Sequence, residues 1–577
     1  MSDRVHCTVN GEQVVFDAEP GASLLTVLRE QLGITSVKDG CAPQGQCGCC
    51  TVLVDGEPRV SCVTAVGRVA GRVVTTIEGL DPATRDALAE AFVATGGSQC
   101  GFCTTGIVVR AAALAARGRH ARADVDRALA AHLCRCTGWQ PIREAIDLTL
   151  DPPSSSRNDS GPISARIVPR TGAERRAELE GGVPQRVGID AALGKGGFAD
   201  DAAPRDALVA VPCPPGSTAD TVDAAGLRWV LGASLTEARE RAGKVQGRRT
   251  TVADVAPILL PDRPAGGVRL ATGWVEPAYL EPDASWCAPG GRPASPLANG
   301  GAFGGKLDSA APRAARELAD ALGRSVRVVY SREDVVRLGP KRPPMAASAV
   351  LHGNAVEVRG RAAGPMPVPA LAYALALDAR WQHIALSGSL TSAALRAVGL
   401  AEHALLVEGA LQAAGADRLA LVDAATAAVL LDTAVLHGDG ARAGARVEIE
   451  PDTCAIREIS VRVAAGDPLD DVVLRSYVIG AAHMALGWVC TEGLTVDPNT
   501  GDVHDLTIRS FGIVRPKAMP TVAVEIVDEP GPPRPRVSDA AFAAVAAATW
   551  NALARAEGAH PEVLPARETR TARMLRR

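Results

Sequence analysis

Ten of the fourteen cysteines crowd into the first 140 residues: Cys7, Cys41, Cys47, Cys49, Cys50, Cys62, Cys100, Cys103, Cys134 and Cys136. Thiols this close together are expected to be cross-linked or bound to something. Disulfide frameworks belong to small secreted domains that lack a core. This chain has 577 residues, 47% of them hydrophobic and 22% charged, enough for several cores. Its opening stretch, MSDRVHCTVNGEQVVFDAE, lacks the apolar run of a secretion signal. Metal is therefore the expected partner of the thiols, and the cytoplasm the expected location. The formal net charge of −4 gives no reason to expect nucleic acid or an anionic membrane as partner. No stretch reads as a transmembrane span.

Two constellations carry the metal chemistry. The first is CAPQGQCGCC, residues 41–50, followed by Cys62. Cys41, Cys47 and Cys50 share a Gly-rich loop, and a hairpin turning at Asp55-Gly56 places residue 50 opposite residue 61, so Cys62 lies beside Cys50. Cys49 can in principle replace Cys50, but Cys50 keeps the two-residue gap after Cys47. The run is close to the plant-type ferredoxin spacing, with a first gap of five residues where four is usual. The second set is Cys100-Gly-Phe-Cys103 with Cys134-Arg-Cys136. Cys100 and Cys103 are expected on one face of a helix start, and Cys134 and Cys136 in a non-helical turn before Pro141. Zinc also accepts four-cysteine sites, and reactive thiols are a further alternative. Two neighbouring sets, one with near-ferredoxin spacing, favour two 2Fe–2S clusters and electron transfer.

The chain around these sets reads as α+β and multidomain. Residues 1–78 alternate like strands, with hairpin turns at Asn10-Gly11 and Asp55-Gly56. Residues 79–150 shift to helical spacing, with a helix opening at Asp81-Pro82 and carrying Leu88 and Phe92 on its apolar face, and others over about 104–117, about 123–133 and from Pro141. Residues 151–185 are Pro- and Ser-rich and read as a linker. Residues 186–577 mix short strands, Ala-rich helices and turns.

GCAPQGQCGCCTVLVDG, SQCGFCTTGIV and HLCRCTGWQPI resemble the molybdenum hydroxylase family, the xanthine dehydrogenase and aldehyde oxidoreductase group, over nearly all of the first 150 residues. The resemblance implies a β-grasp 2Fe–2S domain, a helical-bundle 2Fe–2S domain and a mixed α/β molybdopterin-binding region, shortened here. It implies cluster ligands Cys41, Cys47, Cys50 and Cys62, and Cys100, Cys103, Cys134 and Cys136, with Gln99 facing a molybdopterin cofactor. GGAFGGK, 300–306, resembles the family's loop near the metal, which makes Gly301, Ala302, Phe303 and Gly304 cofactor-binding residues. Arg396, in RAVG, resembles the substrate-binding arginine. Asp539 stands where the family carries its catalytic base, one methylene shorter than a Glu, and Val275 stands where a Gln is usual. As a rival, Gly300, Gly305 and Lys306 fit P-loop spacing, but Leu307 replaces the magnesium-binding Ser or Thr.

The implied function is hydroxylation of an aldehyde or N-heterocycle such as a purine, with water as the oxygen source. Electrons would pass through both clusters to a separate flavoprotein or other external acceptor, since no flavin domain is visible. The small-molecule substrate is unnamed by the sequence, and a homo-oligomer is possible. The alternative is an iron–sulfur electron-transfer subunit with a degenerate, non-catalytic molybdopterin region.

Overall fold

Asn10-Gly11 and Asp55-Gly56 adopt the left-handed backbone of tight hairpin turns, with φ of 51° and 88°, and 51° and 76°. They fold back strands β1 (Asp3–Val9) onto β2 (Glu12–Ala18) and β3 (Thr51–Val54) onto β4 (Glu57–Val60). With β5 (Val73–Thr75) they make a sheet of order β2-β1-β5-β3-β4, in which β1 and β5 run parallel. This is the mixed β-grasp sheet expected from the sequence. The computed structural model describes residues 3–18, 22–150, 188–243, 256–297, 300–388, 390–392, 395 and 397–576. The sequence-predicted linker, 151–185, and Arg396 lie outside the described residues.

The helical part follows as α1 (Pro82–Ala94), α2 (Thr104–Ala115), α3 (Arg122–Leu129) and α4 (Gln140–Leu150). Asp81 caps α1, accepting from the Thr84 amide, with Pro82 in the first turn. The third helix stops at Leu129, short of the expected Leu133, because residues 132–139 are diverted into the non-helical turn carrying Cys134 and Cys136.

Among the described residues after 187 there are three sheets. The first is built of β6 (Leu208–Pro212), β7 (Val222–Ala224), β8 (Leu227–Gly232), β10 (Ala284–Cys287) and β11 (Val326–Val329). The second holds β9 (Val268–Thr272), β12 (Met345–His352), β13 (Ala355–Ala362), β14 (Ala376–His383) and β19 (Val563–Leu564). The third holds β15 (Thr433–Leu436), β16 (Arg442–Ile449), β17 (Ile456–Ala464) and β18 (Thr521–Ile526). Helix α5 (Ala311–Leu322) covers the first, and α6 (Leu400–Ala413), α7 (Asp471–Cys490) and α8 (Val537–Glu557) form the central core.

Helices α7 and α8 correct one expectation. Both are long and apolar enough to cross a membrane by length and composition, yet their apolar windows are 72% and 89% buried inside the molecule. They pack on each other and bury Trp488 and Trp550. Their apolar character belongs to a protein core rather than to a lipid-facing surface.

The first 150 residues are locked onto the rest by buried charge. Arg29 reaches Asp200 at 2.7 Å and Asp201 at 2.9 Å; Lys38 pairs with Asp201; Arg327 reaches Glu30 at 2.9 Å and Asp200 at 2.8 Å. Three cations and three carboxylates alternate, so each buried charge in this network faces an opposite one.

Candidate metal centres and the adjoining cavity

The first cysteine set comes together in the fold. Cys41, Cys47 and Cys50 lie on the buried loop after Asp39. Cys62 sits in a 3₁₀ turn, Ser61–Val63, because β4 ends at Val60, one turn earlier than the hairpin reading placed it. The Cys41 thiol hydrogen-bonds with those of Cys47 and Cys62, and Cys62 with Cys50. The Gln44 and Gln46 amides donate to Cys41 Sγ at 3.3 and 3.4 Å. The Cys47 and Cys62 thiols, aided by those amides, hold Cys41 well below the usual thiol range.

The second set forms differently. Helix α2 begins at Thr104 with Cys103 as its N-cap, so Cys100 lies in the preceding turn rather than on a helical face. The left-handed Gly101, φ 81°, turns the chain there. Cys136 Sγ lies 3.6 Å from Cys100 Sγ, and the Cys103 thiol hydrogen-bonds with Cys134. Thr137 Oγ1 stands 3.1 Å from Cys134 Sγ. Hydrogen bonds from Cys103 and then Thr137 bring the Cys134 thiol down to about 7 against the opposing effect of burial.

Each set thus gathers four thiols, with the Cys100 and Cys136 sulfurs 3.6 Å apart in the second. Four thiolates are what one 2Fe–2S cluster takes. Amide and hydroxyl donors point at the sulfurs of both sets, the outer hydrogen bonds that tune such clusters.

Helix α7 holds the second set in place. A Cβ on Gly480 would stand 1.7 Å from the Cys136 carbonyl oxygen, so only glycine permits this approach. Gln99 donates to the Cys136 carbonyl at 3.1 Å and to Ser476 Oγ at 2.7 Å, which ties the same loop to α7.

The Gly-rich loop lies directly on the second set. Gly300, Gly301, Phe303 and Gly304 all have positive φ. A Cβ on Gly301 would meet Cys136 Sγ at 3.1 Å and Cys100 Sγ at 3.2 Å. Lys306 is buried, 2.8 Å from Glu281 Oε2, and donates to the Pro296 carbonyl at 3.2 Å. Its ammonium is committed to the protein interior, and the P-loop rival fails. Glu281 borders the gap between this loop and the cysteines; its Oε1 is buried without a hydrogen-bond partner, and burial raises its carboxyl to about 7 despite Lys306.

Beyond Phe303 is a cavity of about 60 Å³, lined by Val275, Phe303, Leu395, Met484, Trp488 and Phe542 together with paired charges. Arg135, between Cys134 and Cys136, crosses into it and is bidentate to Glu492, with Nη2 at 2.8 Å, while its Nε donates to the Pro277 carbonyl at 2.9 Å. Arg342 is bidentate to Glu402 at 2.8 and 2.7 Å and stacks over Trp488 at 4.4 Å. Glu276 is paired with Arg332. Sequence reasoning missed all of these pairs. Only the charge of Arg135 inside a cysteine pair signalled one of them.

Asp539 does not line this cavity. It is buried in the first turn of α8, 3.6 Å from Arg536 Nη1. Nor does it cap the helix, and nor does Ser538: the N-cap is Arg536, in left-handed backbone, φ 60°.

The comparisons agree with this geometry. Residues 7–68 match the 2Fe-2S iron-sulfur cluster binding domain, and residues 76–147 the 2Fe-2S binding domain. Aldehyde oxidoreductase of Megalodesulfovibrio gigas is 48% identical over 146 residues, which is 24% of this chain and 16% of that protein. The xanthine dehydrogenase iron-sulfur-binding subunit of Escherichia coli is 40% identical over 146 residues, 25% of this chain and 91% of that subunit. The fold extends the likeness: solved aldehyde oxidoreductase from Desulfovibrio gigas superimposes with a TM-score of 0.73 and 16% identity, covering 100% of both chains. The chain belongs to the molybdenum hydroxylase family of xanthine dehydrogenase and aldehyde oxidoreductase type.

Proposed function

We propose that this chain is a hydroxylase of small, uncharged carbonyl or heteroaromatic compounds, with two 2Fe–2S clusters delivering electrons to an external acceptor. The observation that carries this reading is the contact of the Gly300–Gly304 loop with Cys100 and Cys136, which puts the cavity beyond Phe303 next to the second cysteine set. Cys41, Cys47, Cys50 and Cys62 would hold the cluster nearer the acceptor, and Cys100, Cys103, Cys134 and Cys136 the one nearer the substrate.

The donor set beside Cys100 and Cys136 suits a molybdopterin. A run of left-handed residues such as the Gly300–Gly304 loop can turn backbone amides toward an anion, and Glu281 Oε1 can accept a ring N–H. Bound there, the cofactor would supply the oxygen-transfer chemistry and take up the substrate's electrons. The gap holds about 10 Å³, room for a single water.

The walls favour a neutral substrate. Arg135 and Arg342 already hold carboxylates in bidentate pairs, and a substrate carboxylate would have to displace one of them. Phe303, Trp488 and Phe542 offer flat apolar faces instead. No base is assigned: the Asp539 carboxylate lies outside the cavity lining, and a base must come within about 3 Å of its proton.

The test is turnover with an artificial dye acceptor, comparing a small aromatic aldehyde with an N-heterocyclic carboxylate. The reading predicts turnover of the aldehyde and at least about tenfold lower kcat/KM for the carboxylate; preference for the carboxylate contradicts it. One observation favours a second reading, a non-catalytic region serving electron transfer: the narrowness of the gap beside Gly301. Four irons without molybdenum, from a host that makes the cofactor, would support it.

A further inference from the structure

Four arginines meet at one pocket where the helical part borders β4. Arg110 comes from α2, Arg117 and Arg119 from the chain between α2 and α3, and Arg127 from α3. Pro58 of β4, with Leu114 and Ala128, supplies apolar walls. The pocket holds about 60 Å³, room for a few waters or one tetrahedral oxyanion. Among the described residues, two carboxylates pair with these four cations. Glu57 lies 2.6 Å from Arg117, and Asp124 is shared between Arg127 at 3.1 Å and Arg119 at 3.7 Å. Arg110 is left over. It is half-buried, its Nε is buried without a hydrogen-bond partner, and among the described residues no carboxylate stands within ion-pair distance of it. Burial, and then the like charge of Arg117, push its guanidinium below the usual range, while Glu57 acts the other way. A half-buried cation without a counter-ion is costly unless something from solution supplies the opposite charge. A concave surface lined by one sign of charge concentrates its field and draws in such an ion.

We propose that this pocket binds a phosphate group, free or carried on a small molecule, with Arg110 as its inner anchor. The charge fits: four cations less two carboxylates leaves two, and a phosphate group carries up to about two negative charges at neutral pH. The donors fit, because guanidinium forks meet phosphate oxygens in pairs. The shape fits, because cations from three segments converge on one concavity, which suits a single tetrahedral group better than a flat acidic protein face. The site is separate from the cavity beyond Phe303. The proposal depends neither on the hydroxylase reading nor on iron in either cysteine set.

The test is calorimetric titration of the full chain at low ionic strength with inorganic phosphate, ADP and a short polyglutamate peptide, repeated on Arg110→Gln and Arg127→Gln. Inorganic phosphate is expected to bind wild type with a Kd below about 1 mM. Arg110→Gln should weaken it about tenfold or more, the size of one charge-assisted hydrogen bond. Arg127→Gln, at an exposed position, should weaken it about threefold. ADP binding tighter than phosphate, and weakened by the same variants, would make the natural ligand a carried phosphate; ADP binding no tighter would make it the free ion. A weaker Kd than about 1 mM for both phosphate and ADP, or equal affinity in wild type and Arg110→Gln, would overturn the proposal. Polyglutamate displacing phosphate would overturn it too, by making the pocket part of a protein-docking face. Should Arg110→Gln fail to fold, Arg127→Gln decides, and unchanged affinity there overturns the proposal.

Discussion

The first 150 residues and the region after residue 187 present their chemistry in different ways. In the first, the candidate cluster sites rest on side chains of one type at fixed spacings, and the aldehyde oxidoreductase and the iron-sulfur-binding subunit are 48% and 40% identical there. In the second, the site consists of a glycine loop, apolar walls and charge pairs contributed by distant elements, and the likeness is one of fold at 16% identity. Thiolate ligation tolerates little substitution. A loop that offers backbone amides, or a wall that offers shape, can be built from many sequences. The first region therefore announces its chemistry in one dimension, and the second only once folded.

That contrast can be broken or sharpened by mutation. The largest effect is expected from Cys103→Ala, which should halve the iron content and abolish electron delivery to a dye acceptor while the first cluster's EPR signal remains. Loss of both signals would show that the two sets are not independent. Next comes Glu492→Ala, which leaves Arg135 buried without its carboxylate. Breaking one partner of such a pair costs about 3–5 kcal/mol, read as a fall in Tm, whereas a change of under about 1 kcal/mol would mean that Arg135 is solvated.

Gly480→Ala should cost about 1–3 kcal/mol by overpacking α7 against the Cys136 carbonyl. It should also perturb the second cluster's spectrum and leave the first's unchanged; equal perturbation of both would place the strain elsewhere. The smallest effect is expected from Asp539→Asn. With its carboxylate outside the cavity lining and near Arg536, turnover should fall by less than about tenfold, and a loss beyond about a hundredfold would make Asp539 the base after all.

Much of the first region was legible because its signals are local. Asn10-Gly11 and Asp55-Gly56 fix their hairpins, Asp81-Pro82 opens a helix, and the non-helical placement of Cys134 and Cys136 follows from their two-residue gap. The details that failed were boundaries. Cys100 falls outside α2 because Gly101 turns the chain first, and Cys62 falls past β4. In the second region the GGAFGGK loop was legible as a motif, but its seat on Cys100 and Cys136 was not, because that contact joins residues about 165–200 positions apart. Arg135–Glu492 spans 357 positions, and Arg342–Glu402 joins a loop to α6. Neither pair leaves a periodic trace. Helices α7 and α8 carried too little periodicity to show which face meets which neighbour, since most of their residues are buried.

The most direct test of the central claim is the iron content of anaerobically purified protein, read together with its EPR spectrum after reduction. Two four-cysteine sets predict about four irons per chain and two distinguishable 2Fe–2S signals, one of them lost in Cys103→Ala. Zinc in place of iron, or about two irons with a single signal, would contradict it.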